Sequence, residues 1–259
     1  MDRTEQVGIA RFEKGESSPV TDTVVREHPL TVLVNGKEAA TLLCTPEHLE
    51  DLAVGFLESE GIITDAACLK DAAVSSRGRF CSVEYSGDIE VPLESFGKRV
   101  IRSGCSGEAS LYLKNDMEGC SPVPCGFTVS PQSVCLFMKD FLKKGELFRA
   151  TGGVHSAALV IDGRIVLMAE DIGRHNAVDK VFGRCFREHI DTSESVMFTT
   201  GRISSEILIK CVRRSVPIIA SRSAPTALAV GLAGRMNVTL AGFVRGPRIN
   251  VYTHSERLV

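Results

Sequence analysis

The part of the sequence that most constrains the fold begins at residue 156, where short apolar segments alternate with amphipathic ones. Runs of apolar residues predict five strands, over 156–161, 165–169, 196–200, 216–220 and 238–243. Apolar residues at helical spacing predict helices between most of them, over 172–186, 205–214 and 225–235. Strands joined by helices imply right-handed crossovers, so we expect an α/β core with a mixed, largely parallel sheet flanked by helices. A last strand over 248–253 is predicted to be antiparallel.

The first 125 residues have a different pattern, which predicts a smaller α+β part. After a stretch predicted to be mobile, apolar and polar residues alternate on both sides of Asn35-Gly36, which is typical of a tight β-hairpin. A helix is predicted to start near Thr45 and to end at Gly61. The later predicted elements of this part are strands over 72–76, 80–85 and 89–92.

Glycines and prolines interrupt residues 101–125, so we interpret this segment as a loop or an interdomain connection. A helix capped by Ser130 is predicted to follow over 130–144. We therefore divide the chain into an N-terminal part, residues 1–125, and an α/β core, residues 126–259.

Composition excludes several classes of protein. The 259 residues are 44% hydrophobic, enough to bury a sizeable core, and their formal net charge is -2. Such a charge gives no basic field for non-specific binding to nucleic acid. No apolar run has the length of a membrane span, and residues 1–5 lack the basic and apolar segments of a signal peptide. We expect a cytoplasmic protein that binds neither nucleic acid nor membrane.

Three predicted strands run into loops in which arginine lies beside hydroxyl groups or glycine. The residues predicted to bind an anion in these loops are Arg202, Ser221, Arg222, Ser223, Arg245 and Arg248. Two of the loops also open helices, whose free backbone N–H groups favour anions, and arginine matches phosphate oxygens in a bidentate way. One such loop alone would be an ordinary solvated turn, but three at one sheet edge predict a ligand with more than one phosphate. Neither a Walker A sequence nor G-x-G-x-x-G is present to explain the site.

Residues 170–180 concentrate charged and hydrogen-bonding side chains where a predicted strand passes into a predicted helix, a position at which open α/β sheets bind ligands. The candidates there are Asp171, Arg174, His175 and Asp179, which share one face if Asp171 caps the helix. Ion pairs at a solvated helix start are the alternative interpretation. A further candidate is His155, which follows Gly152-Gly153 and could instead be a structural histidine.

The nine cysteines are an odd number and lack the spacing of a disulfide framework, so most should be free thiols in a reducing compartment. A reactive thiol needs an exposed, electropositive setting. Cys105 meets this requirement, because glycines flank it and Arg102 lies nearby. Cys120 and Cys125 lie in a second loop and could form another pair of thiols. The other cysteines are expected to be core residues, and we predict Cys105 as the functional one.

Five segments carry a family resemblance. They are Thr-Gly-Gly-Val-His-Ser at 151–156, Glu-Asp-Ile-Gly-Arg-His-Asn-Ala-Val-Asp-Lys at 170–180, Gly-Arg-Ile-Ser-Ser-Glu at 201–206, Ser-Arg-Ser-Ala-Pro-Thr at 221–226 and Gly-Phe-Val-Arg at 242–245. Together they resemble the formate dehydrogenase accessory sulfurtransferase family, FdhD (also called NarQ), from about residue 20 to the C-terminus. The resemblance implies a cytidine-deaminase-like core without catalytic zinc, and it is compatible with a homodimer.

The resemblance also implies a function in sulfur transfer. A cysteine desulfurase would load sulfur onto a cysteine persulfide of this protein. The sulfur would then pass to molybdenum in the bis(molybdopterin guanine dinucleotide) cofactor of formate dehydrogenase. Cys105 corresponds to the persulfide cysteine, and the segment resembling the cofactor-binding sequence is Phe243-Val244-Arg245-Gly246-Pro247-Arg248. The pyrophosphates of this cofactor agree with the predicted polyanion site, where Asp171, Arg174 and His175 would form a wall.

The sequence departs from the family at the cysteine motif. Many members have C-G-x-C-G, whereas this chain has Ser103-Gly104-Cys105-Ser106-Gly107, which excludes a two-thiol relay at this motif. A single low-pKa thiol is sufficient to hold sulfur and release it. The altered motif also supports a second hypothesis, a chaperone that binds the cofactor without transferring sulfur. A zinc nucleoside deaminase is not supported, because the H-x-E and P-C-x-x-C signatures are missing at His155 and Pro124-Cys125.

Overall fold

The N-terminal residues form a long hairpin of two strands, β1 (Thr4–Glu13) and β2 (Glu16–Val25). The computed structural model describes residues 1–89 and 120–259, together with the backbone of Val100–Ile101. The hairpin closes at Lys14-Gly15, where both residues have positive φ, as tight hairpin turns require. The prediction of a mobile N-terminus is wrong here, because every residue from Thr4 to Glu13 has a partner in β2.

The rest of the first part is a five-stranded sheet. Its strands are β3 (His28–Val34), β4 (Lys37–Cys44), β5 (Leu69–Val74), β6 (Phe80–Tyr85) and β7 (Val100–Ile101), in the order β5-β6-β3-β4-β7. The predicted hairpin at Asn35-Gly36 is confirmed, with positive φ at both residues. One helix, α1 (Leu49–Ser59), covers the sheet with its buried residues Leu52, Phe56 and Leu57. Most of the strand predicted over 89–92 and of the loop predicted over 101–125 lies outside the described residues.

The second part contains the remaining helices and a six-stranded sheet. The helices are α2 (Pro131–Lys144), α3 (Glu146–Thr151), α4 (Arg174–Arg187), α5 (Ser205–Arg213) and α6 (Ala227–Arg235). The strands are β8 (His155–Ile161), β9 (Arg164–Asp171), β10 (Ser195–Thr199), β11 (Ile218–Ser221), β12 (Thr239–Arg245) and β13 (Arg248–Thr253). Each predicted strand and helix of this part is present within a few residues of its expected bounds. None of the described helices is long and apolar enough to cross a lipid bilayer.

The order of this second sheet is β13-β12-β11-β10-β8-β9. Strands β10, β11 and β12 are parallel neighbours. Strand β8 is antiparallel to both β10 and β9, so β9 points the same way as β10. Four of the six strands therefore share a direction, and the predicted mixed sheet is confirmed. The prediction of largely parallel pairing is wrong, because the antiparallel strand β8 stands between β9 and β10, so that only two of the five neighbouring pairs are parallel. Strand β13 is antiparallel, as predicted. The shared direction brings the ends of β9, β10, β11 and β12 to one edge.

The two sheets are joined by the close crossing of α1 and α4. A Cβ atom on Gly55 would lie 1.9 Å from the Asp179 carbonyl oxygen, and one on Gly183 would lie 1.8 Å from the Asp51 carbonyl oxygen. Only glycine lets the two backbones approach this closely. Phe186 of α4 also packs into the hydrophobic core of the first part. The two parts are thus distinct sheets that share one helix interface.

Candidate functional cleft at the sheet edge

A cleft of about 510 Å³ opens at the edge where these strand ends meet. Strand register places the start of β8 at the same edge, because His155 pairs with Asp171 at the end of β9. The cleft is lined by Leu142, Phe148, Gly152, Gly153, Val154, His155, Ile172, Thr200, Arg222, Ser223 and Arg245. Its volume lies in the range of small-molecule sites. The predicted residues that the structure brings together in it are His155, Arg222, Ser223 and Arg245.

A bulge in β12 shapes the arginine side of the cleft. The pairing with β13 shifts register between Gly242 and Arg245, and Phe243 has a φ of 51°, which is unusual for a residue with a Cβ atom. Bulges redirect side chains next to functional sites. The guanidinium carbons of Arg245 and Arg248 lie 5.5 and 5.9 Å from the Phe243 ring centroid, within cation–π distance.

The arginines of the three loops remain available for an anion. The side chains concerned, Arg202, Arg222, Arg245 and Arg248, belong to exposed residues. Arg245 Nε donates to the Arg222 carbonyl oxygen at 3.2 Å, which fixes one arginine relative to the other loop. None of the four forms a salt bridge with a carboxylate in the described ranges 1–89 and 120–259. Guanidinium groups without an internal counter-charge are suited to bind phosphate.

The imidazole of His155 lies in the middle of the cleft edge and is half-buried. Burial lowers the pKa of His155, and the positive charges of Arg174, His175 and Arg202 lower it further. The imidazole is therefore held neutral near pH 7. Its Nδ1 lies 3.5 Å from the Thr200 hydroxyl, which also accepts a hydrogen bond from the Ser156 N–H at 3.0 Å.

Glu170 positions the segment that leads into the cleft. Its carboxylate accepts hydrogen bonds from the N–H groups of Leu147 and Phe148, at 2.8 and 3.0 Å, and from the Ser156 hydroxyl at 3.1 Å. The first two N–H groups are free because they belong to the first turn of α3. Glu170 thus anchors α3, which is followed directly by Gly152-Gly153.

Asp171 lies inside the protein, and the prediction that it caps the helix and contacts the ligand is wrong. Its side chain is 0% exposed and forms a salt bridge with Lys180 at 2.7 Å. It also accepts hydrogen bonds from the N–H groups of Thr45 and Gly173 and from Asn176 Nδ2. The N-cap residue of α4 is Gly173, because β9 continues through Asp171. The carboxylate therefore joins the two parts of the protein.

The other polar groups of α4 are also engaged within the protein. His175 Nε2 lies 2.8 Å from a Glu206 carboxylate oxygen, and this hydrogen bond lowers the pKa of Glu206. Asp179 pairs with Lys210 at 2.6 Å. Arg174 is buried, and a Cβ atom on Gly201 would lie 2.9 Å from its Cβ. Neither Arg174 nor His175 lines the cleft, so neither forms the wall that the sequence predicted. Their charges act on the cleft only by lowering the pKa of His155.

Two further residues of the predicted site are buried. Ser221 is 0% exposed; its hydroxyl donates to the Gly201 carbonyl at 2.6 Å and accepts from the Ser223 N–H. It holds two loops together rather than offering a hydroxyl to a ligand. Val244 is also buried, because its side chain faces the core while its neighbours face outward. Gly246 and Pro247 lie in the exposed turn between β12 and β13.

Sequence reasoning missed the apolar side of the cleft. Leu142, Phe148 and Ile172 come from α2, α3 and the end of β9, which are separated along the chain. Thr200 follows β10 and was predicted only as part of a strand. No sequence signal marks these four residues as neighbours, since strand order brings them together.

The predicted functional cysteine, Cys105, lies outside the described residues, as do Arg102 and Gly107. The eight cysteines that are described form no disulfide with one another. Burial raises the pKa of the Cys44, Cys81 and Cys185 thiols to about 12, and it raises the pKa of Cys211 and Cys135 as well. These thiols stay protonated, in agreement with their predicted place in the core. Cys125 is exposed, and its sulfur accepts a hydrogen bond from Asn237 Nδ2 at 3.1 Å.

Known proteins are similar to this chain along almost its whole length. A sequence model of the FdhD/NarQ family matches residues 25–259. Sulfur carrier protein FdhD of Bacillus subtilis (strain 168) is 41% identical over 250 residues, covering 96% of this chain and 95% of that protein. The protein of the same name from Geobacillus kaustophilus (strain HTA426) is 38% identical over 251 residues, covering 97% and 95%. The crystal structure of a Desulfotalea psychrophila protein, described as a formate dehydrogenase accessory protein, has a TM-score of 0.85 at 28% identity and covers 100% of both chains.

Proposed function

The chain belongs to the FdhD/NarQ family, and on this basis we propose that it is a sulfur carrier in the maturation of formate dehydrogenase. The names of the relatives and of the structural neighbour support this role. In finer detail, Cys105 accepts sulfur from a cysteine desulfurase as a persulfide. The acceptor is the molybdenum of bis(molybdopterin guanine dinucleotide), held at the cleft before it enters formate dehydrogenase.

The observation that carries this proposal is the pair of cleft arginines, Arg222 and Arg245, neither of which forms a salt bridge with a carboxylate among the described residues. Together with Ser223 and the neutral His155 they offer hydrogen-bond donors to a ligand with several phosphate oxygens. The cofactor carries two pyrophosphates, one in each guanine dinucleotide half. In this proposal one nucleotide end of the cofactor occupies the cleft of about 510 Å³.

The sulfur steps balance without an external oxidant. The Cys105 thiolate attacks the outer sulfur of the desulfurase persulfide; the old S–S bond breaks, a new one forms at Cys105, and the desulfurase leaves as a thiolate. In the second step the outer sulfur moves to the metal as a neutral atom. A reduced molybdenum centre supplies the two electrons that break the S–S bond, and the Cys105 thiolate is released for another cycle.

The direct test is peptide mass spectrometry after incubation of the protein with a cysteine desulfurase and cysteine. We expect the peptide containing Cys105 to gain one sulfur atom, and the adduct to be lost on reduction. Cys105→Ala should take up no sulfur at this position. Cys125→Ala is the control, because it removes a different, exposed thiol, and Cys105 should still be loaded normally in this variant.

The same experiment separates the second hypothesis, a chaperone that binds the cofactor without transferring sulfur. The altered cysteine motif, with serines around Cys105, is the observation that favours it. If Cys105 gains no sulfur while guanosine diphosphate still binds, the chaperone hypothesis is favoured over the sulfur-carrier hypothesis. A homodimer remains a prediction from the family, which sedimentation analysis of the purified protein tests.

A further inference from the structure

The cleft differs in chemistry from one end to the other. Phe148 and Ile172 are associated with β8 and β9, because Glu170 of β9 holds the Phe148 N–H and Ile172 directly follows β9. Arg222 follows β11 and Arg245 ends β12, on the other side of β10. An apolar end and a cationic end thus face the same cleft.

The separation of these ends is set by the strand order. Strands β9 and β11 are three positions apart in the sheet. At about 4.8 Å between neighbouring strands, this separation is about 14 Å. An extended nucleoside diphosphate spans a comparable length, with an aromatic base at one end and its phosphates at the other. His155 lies on β8 and Thr200 lies just after β10, so both are between the two ends of the cleft. Their polar groups face the part of such a ligand that links the base to the phosphates, its sugar.

Phe148 is the aromatic side chain of the apolar end. It remains 39% exposed, although aromatic side chains of this size are usually more buried. Its backbone is fixed by the hydrogen bond from its N–H to Glu170, at 3.0 Å, and Glu170 is itself buried. A ring on a fixed backbone loses little freedom when a planar group stacks on it.

We propose that Phe148 is a specificity-determining residue, the surface on which the guanine base of the ligand stacks while Arg222 and Arg245 hold the phosphates. This orientation rests on the proposed function, since it assumes a guanine dinucleotide ligand. Leu142 and Ile172 are further apolar residues that line the cleft. The pterin and its metal then continue beyond the arginine end, where the phosphates leave the cleft.

Isothermal titration of two probes, guanosine diphosphate and inorganic pyrophosphate, tests the orientation. Base stacking on an aromatic ring contributes roughly 1–3 kcal/mol, so Phe148→Ala should weaken guanosine diphosphate binding roughly 5-fold to 150-fold. Binding of pyrophosphate should not change, because it has no base. Phe148→Leu keeps an apolar side chain without a ring and should also weaken only guanosine diphosphate, whereas Phe148→Tyr should restore it.

Phe80→Ala is the matched control, since it removes an exposed phenylalanine from β6 of the other sheet. It should leave both affinities unchanged. If Phe148→Ala and Phe148→Leu weakened the binding of both probes equally, the ring would only support the shape of the cleft. If guanosine diphosphate bound these variants as tightly as the wild type, the base would lie elsewhere. Either result overturns the orientation. A wild-type protein that binds neither probe would instead overturn the polyphosphate site of the proposed function.

Discussion

Arg222 and Arg245 are the residues whose removal should most directly weaken phosphate binding. Each supplies a charge-assisted hydrogen bond of roughly 1.5–3 kcal/mol, so Arg222→Ala and Arg245→Ala should each weaken guanosine diphosphate binding roughly 10-fold to 150-fold. Isothermal titration at fixed salt measures the change. Arg235→Ala is the charge-matched control, because Arg235 is an exposed residue in the last turn of α6, away from the cleft. Equal losses from Arg235→Ala would show that only net charge matters.

The pKa of His155 should change when an anion binds in the cleft. Burial and neighbouring cations lower the pKa of His155 in the free protein, and bound phosphate should raise it by adding negative charge. Because protonation is then favoured in the complex, affinity should increase as the pH falls through the bound-state pKa and level off below the free-state pKa. Imidazole chemical shifts in NMR, with and without guanosine diphosphate, measure both values.

The ligand phosphates also titrate, so His155→Gln is the control for this pH dependence. It keeps a polar side chain at the position but removes the titrating imidazole. The difference in affinity between wild type and His155→Gln should grow as the pH falls. A difference that stays constant from about pH 8 to about pH 5 would contradict contact between His155 and the phosphates.

At the residue level the sequence predicted four polar residues that line the cleft, His155, Arg222, Ser223 and Arg245, but not that Asp171 and Ser221 are buried. Arg222, Ser223 and Arg245 follow strands that share a direction, so a sheet edge was sufficient to bring them together. Asp171 and Ser221 have the same polar character, yet both are fully buried by partners that lie far away in sequence, such as Thr45 and Gly201. Sequence spacing carries no information about those partners.

The crossing of α1 and α4 depends on two glycines. Gly55→Ala and Gly183→Ala each place a methyl group against a backbone carbonyl of the other helix, where nothing can move aside without separating the helices. We expect each to lower the free energy of unfolding by about 1–3 kcal/mol or more, measured in urea.

Gly231→Ala is the control for the glycine crossing. Gly231 lies in α6, and among the described residues no atom outside its own helix lies within 4 Å of its Cβ position, so alanine should stabilise the helix by about 0.5–1 kcal/mol. If all three substitutions stabilised the protein alike, the close approach of α1 and α4 would be wrong. Periodicity predicted both helices as elements, but not that these glycines meet.

The buried Asp171–Lys180 salt bridge belongs to the contact between the two parts of the chain, because the N–H of Thr45 in the first part donates to the same Asp171 carboxylate. Lys180→Met leaves Asp171 as a buried, uncompensated charge and should cost about 3–5 kcal/mol of unfolding free energy. Combining it with Asp171→Asn removes that charge and should recover part of the loss. A Lys180→Met protein as stable as the wild type would show that the network does not hold the two parts together.

The change in pattern along the chain predicted different sheets before and after residue 125, whereas it did not predict how they are attached. The segments that contribute to the attachment, around Thr45 and Asp171, are more than a hundred residues apart. Under the proposed function this attachment matters, because Cys105 belongs to the first part of the sequence and the cleft to the second.

Delivery of labelled sulfur tests the central claim, that Cys105 carries sulfur to a ligand held by the cleft arginines. Protein loaded with radioactive sulfur by a desulfurase is mixed with cofactor-containing formate dehydrogenase that lacks the sulfur ligand, and both transferred label and formate oxidation are measured. We predict that wild type delivers label and restores activity, that Cys105→Ala neither loads nor delivers, and that Arg222→Ala loads normally but delivers poorly. Undiminished delivery by Cys105→Ala, or by Arg222→Ala together with Arg245→Ala, would contradict the account.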